Sequence, residues 1–124
     1  MADGILTRES PHSFGETLAR LKRAISDLDL IIFASIDHRD GARRAGLDMH
    51  EATVLTFGNP CGGTAAMLQE PLAALDLPLR VLVWEADGRT RVSFQDPAFV
   101  ARRFRIPADI PMRAQAVVDA ALSA

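Results

Sequence analysis

The chain of 124 residues contains no tyrosine, one tryptophan, one cysteine and one lysine, Lys22. A lone cysteine, Cys61, rules out an internal disulfide and suits a reducing compartment. The lack of tyrosine and the formal net charge of -2 argue against a nucleic-acid partner, because such surfaces join a basic face to interleaved aromatic rings. Long apolar runs are also missing. The longest, Leu30 to Ala34, is far too short to span a bilayer, so no membrane partner is expected. The opening MADGILTRES has neither a basic segment nor an apolar one of signal-peptide type, and reads as the start of an unprocessed cytoplasmic protein. No internal repeat, linker or low-complexity tract interrupts the chain.

What is present is ordinary globular composition, with 48% hydrophobic and 24% charged residues. Length and composition together predict one domain over residues 1–124. A segment from Gly4 to Thr7 reads as an edge strand. Ser13 and Glu16 then form the S-x-x-E pattern of a capping box, after which Phe14, Leu18, Leu21, Ile25 and Leu28 recur at helical spacing. LIIFASI, from Leu30 to Ile36, reads as a buried strand, and Asp37 to Gly46 as a loop with at most one helical turn. ATVLTFG (Ala52 to Gly58) is a strand running into the turn NPCGGT, with a short helix expected from Thr64 to about Gln69. Leu79, Val81 and Val83 alternate with Arg80, Leu82 and Trp84, and beyond Asp87-Gly88 the alternation resumes, which predicts a β-hairpin. Asp96-Pro97 opens one helix, and another begins near Asp109. The expected fold class is α+β, a two-layer α/β sandwich with a mainly antiparallel sheet and helices packed on one face.

Several strings in order carry a family resemblance: IDH (Ile36 to His38), AGL (Ala45 to Leu47), FGNP (Phe57 to Pro60), Gly63-Thr64, ALDLPLRVLVWE (Ala74 to Glu85) and DPAFVARR (Asp96 to Arg103). Together they resemble the bacterial and archaeal family called domain of unknown function 302, over a family-like core of about residues 14–106. The resemblance implies a compact two-layer domain, similar in topology to one repeat of the TATA-binding protein, and a homodimer. It implies no activity. Two departures stand out: Cys61-Gly62, where the pattern has a basic or small residue, and the IPADIP stretch, which leaves residues 107–124 as a helical extension.

The candidate chemistry is sparse. His38, at the exit of a strand, carries an imidazole, the side chain that suits a general acid or base near neutral pH, although a histidine there equally well caps a loop. Asn59, Cys61, Gly62, Gly63 and Thr64 run from a strand end into a helix start, where free N–H groups and the helix dipole hold an anion; without a lysine after the glycines this is no Walker loop, and a plain tight turn is the simpler reading. Cys61 has no evident base to activate it. Asp48, His50 and Glu51 lack metal-ligand spacing, so neither a metal nor a cofactor is expected. The arginines at positions 39, 43 and 44 and at 102, 103 and 105 read as solvated helix surfaces paired with acids. The leading expectation is a homodimer that binds a small anionic ligand between His38 and the Asn59 to Thr64 turn. The alternatives are an enzyme acting on a small anionic metabolite with His38 as general acid or base, and a protein-interaction or assembly module.

Overall fold

The computed structural model describes residues 3–123. Five strands form one antiparallel sheet: β1 (Ile5–Glu9), β2 (Ile31–Asp37), β3 (Ala52–Gly58), β4 (Leu79–Ala86) and β5 (Arg89–Gln95), in the spatial order β1-β5-β4-β3-β2. Five α-helices accompany them: α1 (Phe14–Asp27), α2 (His38–Arg44), α3 (Pro60–Gln69), α4 (Pro97–Phe104) and α5 (Asp109–Leu122), with a 3-10 turn at Pro71–Leu75. The α+β class and the antiparallel sheet follow the expectation.

Strand alternation decides which side chains meet the helices. Leu55 lies opposite Val81, Phe57 opposite Leu79, and Val83 opposite Val92; these residues join Leu21 and Ile25 of α1 and Val117 and Val118 of α5 in one buried cluster. Through Ala114, Val117, Val118 and Ala121, α5 fills the core beside α1. Arg20 of α1 clasps it, donating from Nε to the Ala121 carbonyl and from Nη2 to the Ser123 carbonyl at 2.6 Å each, where the negative end of the helix dipole favours a cation. A second cluster joins Ala66 and Ala73 to Val100, Phe104 and Ile110.

The helix ends are written locally. Ser13 Oγ accepts the Glu16 N–H at 3.1 Å, while the Glu16 carboxylate faces Arg20, so half of the capping box forms. Ser13→Ala should lower stability by about 1 kcal/mol in a denaturant titration, and no loss would remove the cap from the account. The far end of α1 closes in a Schellman arrangement: Asp29 takes a left-handed φ of 59°, and the Leu30 N–H reaches the Ile25 carbonyl. Leu30 enters the core, whereas Leu28, expected on the buried face, is 44% exposed because it sits at the cap where the chain turns away. At the β4–β5 turn, Asp87 and Gly88 both have positive φ, the type I′ geometry that an Asp-Gly pair favours.

Two further expectations change. β2 is a strand but not a buried one; all seven of its residues are exposed, since β2 is an outer strand of the sheet with a neighbouring strand on one side only. A continuous apolar run resembles a central strand, and position in the sheet is not encoded in that run. The segment expected as a loop holds α2, started by Asp37 Oδ1 accepting the Asp40 N–H at 2.9 Å and supported by the Arg44–Asp40 ion pair.

Candidate functional site

The turn after β3 becomes helix four residues earlier than expected. Asn59 is the N-cap, and its Oδ1 accepts the Cys61 N–H at 2.9 Å; Pro60 has no N–H; the Gly63 N–H already bonds the Asn59 carbonyl at 2.8 Å. Of the first four helical positions, Gly62 therefore keeps the N–H that neither cap nor helix uses. Gly63 has no positive φ and open space around it, so its glycine is not demanded by backbone angle, contrary to the expectation of unusual angles there. Gly62 differs. A Cβ on it would lie 2.7 Å from Arg113 Nη1, so the absent side chain is what lets the guanidinium rest against the start of α3.

Beside this helix start lies a cavity of about 250 Å3, walled by Phe33, Pro60, Met67, Leu77, Pro78 and Ile110, with Asn59, Gly63, Thr64 and Arg113 contributing polar atoms or backbone. Phe33 reaches it through a local defect: the pairing of β2 with β3 shifts register between Ile32 and Ala34, which makes Phe33 the extra residue of a bulge and aims its ring at Gly58. Arg113 has no carboxylate within ion-pair distance and no hydrogen-bond acceptor for its side chain among the described residues. Thus a permanent cation and the positive end of a helix converge at the rim of an apolar hollow, and no acid among the described residues neutralises them.

Of the expected site residues, Asn59, Gly63 and Thr64 line this cavity, Gly62 seats its arginine, and Cys61 is an exposed free thiol outside the lining. His38 is not brought to it. Ile31 pairs with Gly58 at one end of β2 and Asp37 with Thr53 at the other, so the antiparallel register places His38 about 20 Å from the turn at roughly 3.3 Å per residue. The expectation of one pocket between His38 and the turn is corrected on that geometry. His38 is exposed on the first turn of α2, and its ring makes no hydrogen bond among the described residues.

The cavity walls Phe33, Met67, Leu77 and Ile110 and the cation Arg113 escaped sequence reasoning, since they come from four separate segments. Arg113 carried one usable signal: three residues after Ile110 and one before Ala114, it borders the buried face of α5. The other arginines are largely engaged, Arg39 with Glu51, Arg44 with Asp40, and Arg80 and Arg103 both with Asp76. Trp84 sits half-buried on the helix-free face, donating from Nε1 to Ser93 Oγ at 2.9 Å under the Arg91 guanidinium. No three His, Cys, Asp or Glu side chains gather among the described residues in a way that could hold a metal ion, and no helix there is long and apolar enough to cross a membrane.

Comparison with known proteins adds kinship. Residues 6–124 match the model of DUF302, a domain of unknown function. The chain is similar to a protein named fluoride-specific ion channel FluC 1 from Brucella suis biovar 1 (strain 1330), with 38% identity over 101 residues that make up 81% of this chain and 40% of that one. A FluC 1 of Brucella abortus biovar 1 (strain 9-941) matches at 38% over 81% of this chain and 37% of its own. The chain thus spans less than half the length of these curated relatives. Among solved structures, an uncharacterized conserved DUF302 protein from Bacillus stearothermophilus shares the fold with a TM-score of 0.81 at 18% identity, over 98% of this chain and 97% of that one.

Proposed function

Because the chain belongs to the DUF302 family, a domain of unknown function, its role has to be read from its own cavity, and we propose that it binds a small organic anion there, as a homodimer. The observation that carries this reading is the unpaired Arg113 guanidinium against the start of α3, at the rim of an apolar hollow of about 250 Å3. The hollow matches the apolar body of a ligand, and the rim matches a carboxylate, which accepts two parallel hydrogen bonds from a guanidinium. Kinship with chains named as fluoride-specific ion channels fits a domain that attends to anions, but fluoride alone would leave the apolar walls unfilled. The exposed thiol of Cys61 suits a reducing compartment and supports a cytoplasmic place of action.

Calorimetric titration with fluoride, inorganic phosphate, acetate, isovalerate and phenylacetate tests the reading. Affinity should rise with the apolar body from acetate to phenylacetate. It should stay level between about pH 6 and 8, because arginine keeps its proton throughout and His38 lies at the far end of the sheet. Equal affinities for acetate and phenylacetate, or no binding by either, would overturn it. An affinity that fell across that pH range and became level in His38→Ala would instead place the bound anion beside His38.

A further inference from the structure

A glycine ends β3, and neither backbone angle nor crowding asks for it. Gly58 has no positive φ. A Cβ on it would meet Phe33 Cε2 and Pro78 Cβ at 3.9 Å each, and no other atom of the described residues within 4 Å beyond its chain neighbours. An alanine would fit there, so what the missing side chain leaves is space. One use of such a strand glycine is to let a ligand approach the backbone closely.

The space has the shape of a slot. β3 lies between β2 and β4 in the sheet, so Phe33 of β2 and Pro78, just before β4, stand on opposite sides of Gly58. All three line the hollow beside α3. Carbon atoms attract best at about 3.5–4.0 Å, so a single layer of atoms placed where the Cβ would be touches both walls. A planar ring is one layer thick, whereas a puckered saturated ring would push a wall aside. The Phe33 ring is 51% exposed and so has surface left for a second ring, and aromatic pairs attract beyond what their buried area supplies. Met67 adds to the same hollow a thioether, which settles well against aromatic rings. Size agrees as well. A dry cavity of about 150 Å3 already takes up benzene, so the hollow of about 250 Å3 holds one ring and a short arm.

We propose that the hollow takes an aromatic carboxylate, its planar ring standing over Gly58 between Phe33 and Pro78 and its acid group at Arg113. Phe33 is then the residue that selects an aromatic ring over a saturated one. This rests on the organic-anion reading above and narrows its ligand class.

Calorimetric titration with phenylacetate and cyclohexylacetate, which differ only in the saturation of the ring, tests it. A hollow that responded to burial alone would favour the cyclohexyl acid, which has the larger apolar surface. The expected result is the reverse, phenylacetate binding about tenfold tighter. Phe33→Leu should cut the affinity for phenylacetate about tenfold and leave that for cyclohexylacetate within about twofold. Gly58→Ala, which fills the slot, should also weaken phenylacetate about tenfold. Urea midpoints of both variants should stay at the parent's, because alanine fits at 58 and Phe33 is half-exposed. Equal or reversed affinities of the two acids for the parent protein would overturn the aromatic slot while leaving the organic-anion reading standing, and that comparison needs no variant. Phenylacetate binding unchanged in Gly58→Ala would likewise overturn the slot alone. No binding of either acid would overturn both.

Discussion

Arg113→Glu should lower the affinity of the cavity for phenylacetate by about a hundredfold, the loss expected when a charged hydrogen-bonding partner is replaced by a repelling one. The size follows from the surroundings. The start of α3 offers the Gly62 N–H and a partial positive charge, but Arg113 is the one full cation lining the hollow, and no nearby lysine or histidine can substitute for it. Arg113→Lys should keep part of the affinity, as a point charge without the planar fork. Arg113 is half-exposed and lacks an ion pair among the described residues, so thermal unfolding should change little in either variant. An Arg113→Glu protein that bound phenylacetate as well as the parent would remove the anion from the proposed function.

Phe57→Ala should destabilise the fold by about 3–5 kcal/mol, a large share of the roughly 5–15 kcal/mol that holds a domain of this size together. Phe57 is fully buried near the end of β3, between Ile32 on one neighbour and Leu79 on the other, in the cluster that α1 and α5 cover. Neighbouring strands are tied by backbone hydrogen bonds and cannot close into the space the ring leaves, so the cost includes a cavity as well as lost burial. Urea titration of Phe57→Ala beside Leu68→Ala gives the contrast, because Leu68 is 80% exposed on α3 and its truncation should change stability by less than about 0.5 kcal/mol. Similar midpoints for the two would show that the sheet–helix layer is not the core.

Some of this protein was legible in its amino-acid order, and all of that part is local. Ser13, Asp96 and the Asp87-Gly88 pair mark where helices and the hairpin begin because a cap or a turn needs only atoms a few residues apart. The alternation in Leu79 to Trp84 correctly separates the buried face of β4 from the open one, since period-two patterning is a property of the strand itself. By contrast, the exposure of LIIFASI depends on which strand ends up outermost in the sheet, a matter of pairing that no window of sequence contains. The same antiparallel register separates His38 from the Asn59 to Thr64 turn by the length of a strand, although both stand at strand ends and look equivalent in sequence. Asn59 marked one side of the cavity because helix starts announce themselves. Arg113, Phe33 and Met67 joined it only through the packing of α5, the bulge in β2 and the side of α3, contacts between residues far apart in the chain that tertiary structure alone selects.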